Sequence, residues 1–378
     1  MKLIIGADFV PTDSNVKYFE SGELEYLFDQ ELISYLSQPS FKIFNLEMPL
    51  TDTDSPIKKN GPVLRANPNA INLYKKLGVN LVTLANNHIL DQGAQGLEST
   101  ISILDASGIS YVGAGNNLLS AVQAFSFMFG KHRVGVYACT EHEFSVADDT
   151  TPGANPFDPL ESYDHINALK NNCDYVIVLY HGGKEHYRYP SPDLQRYCRK
   201  FVQKGADLVI CQHSHCIGCM EKIENSTIIY GQGNFLFNHS ESEYWKTGLL
   251  IEIDSNLQIK YIPVIKNGFS VQMADEKHRK SILDDFNSRS NQILEEGVIQ
   301  RKYADFAQEM LDYYYSNSLG KIRNNLFFRI VNKLLKSALV RVNYNEKYNL
   351  ALLNSIECEA HRELFAEGLK RTIYKKGR

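Results

Sequence analysis

Residues 81–88 read LVTLANNH, an apolar run that stops at two amides and an imidazole. Four other stretches follow the same grammar: LIIGAD at 3–8, IFNLE at 43–47, VIVLYHGG at 176–183 and LVICQHSH at 208–215. Short aliphatic runs closed by turn residues read as buried strands. They are expected at Leu3–Ala7, Ile43–Leu46, Val79–Leu84, Tyr175–Tyr180 and Leu208–Cys211. Helical periodicity lies between several of them, at Ala70–Leu77, at Gly96–Ala106 before Gly108, and at Pro192–Lys204 before Gly205. Shorter strands are expected at Arg133–Ala138, Thr227–Tyr230, Gly248–Ile253 and Ile259–Pro263. This alternation predicts an α/β layered domain with helices packed on both faces of its sheets.

The pattern changes near residue 270. Proline is absent beyond Pro263, and Lys280–Leu294, Tyr303–Tyr315, Ile322–Val340 and Tyr348–Lys370 read as helices. Charge shifts at the same place: residues 1–270 hold 21 Lys+Arg against 30 Asp+Glu, and residues 271–378 hold 19 against 14. Two domains are therefore expected, an α/β domain over 1–270 and a helical, basic one over 271–378. Residues 321–347 carry seven cations and a single acid, Glu346, interleaved with Leu326, Phe327, Ile330 and Leu334. Such a helix either packs its apolar side on the α/β body or lies on an anionic membrane surface.

Composition excludes collagen-like, low-complexity and wholly disordered classes. A net charge of −4 gives no nucleic-acid signature, so no nucleic-acid partner is expected. The apolar run after Met1 is too short for a signal peptide, and no stretch approaches the roughly 20 apolar residues of a membrane helix. Seven cysteines without framework spacing fit a reducing compartment. A cytoplasmic protein is expected, membrane-peripheral if the basic helices dock on lipid.

The polar residues able to do chemistry fall where the strands end. Asp8, Glu47, Asn86-Asn87-His88, His181, and His213 with His215 follow five such runs. Ligands of α/β sheets collect at those carboxyl ends. Each residue alone is ordinary: a turn, a helix cap or a solvated imidazole. Their convergence predicts a metal site. Imidazole, carboxylate and amide oxygen together suit one or two ions of Mn, Zn or Fe better than Mg or Ca. Cys211, Cys216 and Cys219 around the two histidines could form a zinc knuckle. Cys211, however, sits inside an apolar strand, where a thiol behaves as a small hydrophobe.

Several motifs in order resemble the calcineurin-like metallophosphoesterases, and within them the CapA-type poly-γ-glutamate and capsule biosynthesis proteins. They are GADFVP, NLEMPLT, LANNHILDQGAQGLEST with GISYVGAGNN, YHGGKEHYRYPSPDLQ, GADLVICQHSHC and IYGQGNFLF, spanning about residues 1–240. The resemblance implies a metallophosphoesterase-like layered β-sandwich flanked by helices. It implies that Asp8 and His215 hold one metal, that Asn87, His181 and His213 hold the other, and that Glu47 bridges. His88 would then stand beside the metals as an acid or hydrogen-bond donor. Classical phosphoesterases carry His where this chain has Val10, and Asp where it has Glu47; CapA-type proteins share both departures.

Secondary candidates have two readings each. Asp91 either orients His88 or caps the helix that follows. Arg65 either pairs with an anionic substrate or makes a surface salt bridge. Glu185 would contact substrate or metal, and Asn234 would lie at the rim or serve a turn. Segments 52–61 and 141–159 are long loops of the kind that often carry function. The function expected is metal-assisted attack on a phosphoester or amide-type bond of a capsular polymer or its precursor. The alternatives are a transferase joining an amine to a capsular uronic acid, and a non-catalytic assembly factor of the polymer synthase.

Overall fold

The computed structural model of the chain describes residues 1–318, 325–335, 337–342 and 344–374. In chain order its strands are β1 (Lys2–Val10), β2 (Phe41–Asn45), β3 (Leu81–Thr83), β4 (Ser110–Val112), β5 (Ala114–Gly115), β6 (Phe125–Phe129), β7 (His132–Thr140) and β8 (Gly153–Ala154). They continue with β9 (Tyr175–His181), β10 (Leu208–Gln212), β11 (Met220–Ile223), β12 (Ser226–Ile229), β13 (Asn234–Phe237), β14 (Thr247–Asp254), β15 (Ile259–Asn267) and β16 (Ser270–Met273). One large sheet is ordered β16-β15-β14-β1-β2-β3-β4, with β13 also pairing β1; the other is β11-β12-β10-β9-β7-β6, and β5 and β8 form a separate two-stranded pair.

Period-2 alternation explains why two sheets face each other. In β1, Leu3 and Ile5 point into a core shared with the second sheet, while Ile4 points outward to the helices. In β9, Ile177 and Leu179 enter that shared core, and Val176, Val178 and Tyr180 enter the outer one. A strand buried on both faces must be apolar at every position, which is why these runs do not alternate with polar residues. Helices Ile71–Leu77 and Gly93–Ser107 pack outside the first sheet through Leu73, Tyr74, Leu97 and Leu104. Ser162–Lys170 and Pro192–Gln203 cover the second through Ile166, Leu194, Cys198 and Phe201. The result is a β-sandwich with helical outer layers.

β1, β2 and β3 run parallel in one sheet, and β7, β9 and β10 run parallel in the other. The polar residues that follow their last positions therefore gather where the two sheets' carboxyl ends meet.

The change from strands to helices does come just after Met273, but the first compact unit extends to Arg301 and the second spans 302–378. Helix Glu276–Gln292 buries Phe286 in the inter-sheet core, and Ile293 and Ile299 join the outer one. Helical sequence, in other words, begins about thirty residues before the α/β unit ends. In the second unit, Tyr315, Val340 and Tyr344 form a small core, with Tyr315 and Tyr344 stacked at 3.9 Å. The helix expected at Ile322–Val340 is described as Leu326–Leu334 and Ala338–Arg341, with 319–324 and Lys336 outside the described residues. The one expected at Tyr348–Lys370 breaks at Cys358, whose extended backbone separates Glu346–Glu357 from Glu359–Ile373. Among the described residues no helix is long and apolar enough to cross a membrane.

Candidate metal centre

Asp8 lies near the end of β1, and Asn45 and Glu47 at and just after the end of β2; all three are fully buried. Asn45 Nδ2 donates to Asp8 Oδ1 at 2.7 Å and lies 3.4 Å from His181 Nδ1. Asn86 Nδ2 donates to Asn45 Oδ1 and to the Leu46 carbonyl, and its own Oδ1 accepts from His88 N–H. Two asparagines thus tie the ends of β1, β2 and β3 to His181 of the other sheet.

The ligand-type atoms crowd together. His181 Nε2 lies 3.2 Å from Glu47 Oε1, 3.1 Å from Asn87 Oδ1 and 3.1 Å from His213 Nδ1. One ring nitrogen with at most one proton cannot serve three such neighbours. On the other side, His215 Nδ1 is 3.3 Å from Asp8 Oδ2 and 2.9 Å from Asn234 Oδ1. Asn87 is oriented by Glu143, whose carboxylate accepts from Nδ2 at 2.9 Å and leaves Oδ1 facing His181.

Among the described residues two groups of atoms lie within metal-holding range, Glu47–His181–His213 and Asp8–Glu47–His215, the atoms of each being within 4.8 Å of one another. Glu47 is common to both. Asp8 Oδ2 and both Glu47 oxygens are buried and accept no hydrogen bond. A desolvated carboxylate oxygen without a donor is costly, and a cation removes that cost. The donor set therefore fits a divalent transition metal, with two sub-sites sharing Glu47. His213 and His215 also hold left-handed backbone conformations, φ 89° and 52°. Such strain at non-glycine residues persists only where surrounding structure enforces it, and it clusters at functional sites.

The electrostatics is unbalanced in the protein alone. Burial, reinforced by the charge of Glu47, raises the Asp8 carboxyl. Burial acts the same way on Glu47 but is outweighed by His181, His215 and His88, which hold it below the usual carboxylate range. His213 is pushed well down by burial and by the neighbouring imidazoles. His215 moves up to about 9, because Asp8 and Glu47 overcome the effect of burial.

His88 is held from behind. Its Nδ1 donates to Asp91 Oδ2 at 2.6 Å; Asp91 also accepts from Leu64 N–H and from Lys59 Nζ, both at 2.7 Å. Lys59 Nζ further donates to the Asn87 carbonyl at 3.0 Å. The helix Gly93–Ser107 starts without any side-chain cap, so of its two expected roles Asp91 takes the orienting one.

A family model for the bacterial capsule synthesis protein PGA_cap matches residues 3–239. The chain belongs to that family. The PGA_cap segment contains every residue of the cluster above. Capsule biosynthesis protein CapA of Bacillus anthracis is 28% identical over 223 residues, 57% of this chain and 54% of that protein. PGA biosynthesis protein CapA of Bacillus subtilis is 29% identical over 181 residues, 46% and 47%. The chain spans about half the length of these curated relatives. Among solved structures, a Mycoplasma pneumoniae phosphatase aligns with 74% of this chain and 96% of its own at 17% identity and a TM-score of 0.43. A 5′-nucleotidase precursor from Thermus thermophilus covers 76% and 58% at 13% identity and 0.39.

The PGA_cap fold brings Asp8, Glu47, Asn87, His88, Asp91, His181, His213, His215 and Asn234 together. Arg65 is placed otherwise: it donates to the Thr53 carbonyl at 3.0 Å, lies 3.5 Å from Asp54, and lines a 280 Å³ cavity with Asp13 and Asp52. Glu185 is exposed in a turn. Its neighbour His186 reaches the site wall instead, accepting from Trp245 Nε1 at 2.7 Å, while the Trp245 ring covers His215 at 4.2 Å. Cys211 and Cys219 pack in the outer core with Cys198, and Cys216 is buried, which leaves no knuckle among the described residues.

Sequence reasoning passed over Lys59, Glu143, Asn45 and Trp245 as working parts. Asn45 opens the quoted NLEMPLT stretch, and Trp245 is the chain's single tryptophan. Lys59 and Glu143 carried no signal beyond sitting in the two long loops.

Proposed function

We propose that this chain is a metal-dependent enzyme that makes or modifies a capsular polymer, polysaccharide or poly-γ-glutamate, by attack on a phosphoester or amide-type bond. The observation that carries the proposal is the trio of buried, undonated carboxylate oxygens on Asp8 and Glu47 among three histidines. Asp8 and His215 would hold one ion; Asn87, His181 and His213 would hold the other, with Glu47 between them. An ion of Mn, Zn or Fe bound there would supply Lewis-acid polarisation and acidification of the attacking water.

The chain's own residues supply the rest. His88, with Nδ1 committed to Asp91, presents Nε2 as the group that protonates the departing atom. Asp91 and Lys59 keep the ring from rotating. Asn45, Asn86 and Glu143 fix the donors in place, the supporting role that hydrogen-bond partners of metal ligands play. Trp245 closes the His215 side against water.

Metal analysis of the purified full chain tests the first half of the proposal. Near-stoichiometric Mn, Zn or Fe, lost in His213→Ala, is expected; trace metal that this substitution leaves unchanged would refute it. Turnover of an aryl phosphodiester, abolished in His88→Ala with metal retained, supports hydrolysis. Amide product formed from polymer and free amine supports transfer to an amine instead. Full metal without turnover of either kind, in wild type as in His88→Ala, sinks the enzymatic reading.

A further inference from the structure

We propose that helix Leu326–Leu334 docks in the plane of an anionic lipid surface. Its nine residues are LFFRIVNKL, and Asn325 caps it by accepting from Phe328 N–H at 3.0 Å. No residue of the helix is buried. Phe328 packs toward the Tyr315–Val340–Tyr344 core and so fixes how the helix is turned. The opposite side carries Leu326, Phe327, Ile330 and Leu334, which share one stripe at i, i+1, i+4 and i+8. These side chains are strongly exposed, Leu326 at 68%, Phe327 at 77% and Leu334 at 76%.

Charge identifies what would cover them. Arg329 and Lys333 stand one turn apart on the flank of the stripe, where long cationic side chains can reach lipid headgroups while their stems lie along apolar surface. Asp312, which lines the same cavity as both, is already held by Arg341 at 2.6 Å. Residues 321–345 contain six Lys or Arg and no acid. Helices Glu346–Glu357 and Glu359–Ile373 also expose leucines, but their five acids, Glu346, Glu357, Glu359, Glu363 and Glu367, outnumber their four cations, Lys347, Arg362, Lys370 and Arg371. A negatively charged bilayer favours this helix, with two cations and no acid, over those near-neutral ones. A short amphipathic helix with cations beside its apolar stripe matches the interfacial class.

Flotation of the full chain with phosphatidylcholine vesicles, with and without phosphatidylglycerol, tests the proposal. Binding to the mixed vesicles alone is expected, weakening as salt is raised. The pair Arg329→Gln and Lys333→Gln should lower affinity about 25-fold, roughly fivefold per cation. Phe327→Ser with Ile330→Ser should abolish binding while leaving helix content by circular dichroism and Trp245 fluorescence unchanged. Equal binding to neutral and anionic vesicles overturns the proposal, as does indifference to both pairs of substitutions. A dimer that the Phe327/Ile330 pair disrupts, in a protein that ignores vesicles, assigns the stripe to a second copy and overturns it too.

Discussion

Replacing Lys59 by methionine should destabilise the α/β unit more than any comparable surface-loop substitution. The Lys59 and Asp91 side chains are 2% and 0% exposed, and their charged atoms are 2.7 Å apart. Removing one member of a buried pair typically costs about 3–5 kcal/mol, because the other charge stays desolvated. Asp91 keeps two donors, Leu64 N–H at 2.7 Å and His88 Nδ1 at 2.6 Å, so the lower end applies. A loss of about 3 kcal/mol is more than a hundredfold in the folding equilibrium. Urea unfolding followed through Trp245, buried and the chain's sole tryptophan, reads it directly. The midpoint should fall with little change in slope. Adding Asp91→Asn should recover part of the loss by removing the stranded charge. A cost below about 1 kcal/mol, the range of hydrated surface pairs, would refute the clamp.

Other consequences are equally direct. His215 sits at about 9 in the metal-free protein, so its ring is charged below that pH and neutral above it. Metal uptake must expel this proton, so affinity should rise about tenfold per pH unit up to 9 and then level off. Isothermal titration in buffers of different ionisation enthalpy should show about one proton released from this ring as the ion beside Asp8 binds, and pH-independent affinity of that sub-site between 6.5 and 9 would contradict it. Glu143→Ala frees the Asn87 amide to rotate and should weaken metal binding about 10–100-fold with the fold intact, as competition with a chelator would report. Gly248→Ala should destabilise the unit and displace Asn234, since a Cβ at Gly248 would run into the Asn234 carbonyl oxygen. An unchanged melting temperature there would count against the close β13–β14 approach.

Much of the site was legible because strands buried on both faces are unmistakable and polar residues at their ends are not needed for packing. Asp8, Glu47, Asn87, His181, His213 and His215 could be singled out in that way. Lys59 could not, since a lysine in a polar loop looks solvated until the loop is seen folded over Asp91. Arg65 and Glu185 had the right chemistry, and Glu185 lay within a quoted motif. Yet loop geometry turns Arg65 back on Thr53 and leaves Glu185 in water. The boundary moved for a related reason. Helical composition begins after residue 273, but one apolar face of Glu276–Gln292 still belongs to the inter-sheet core.

The sequence by itself determined the strand-and-helix alternation, the family, and the six ligand-type residues at successive strand ends, because periodicity and residue type are local properties. The tertiary structure alone decided which donors share an atom's reach. Glu47 stands between two histidine sets because two separate sheets bring their carboxyl ends together, and that meeting is a long-range packing outcome that no local pattern encodes.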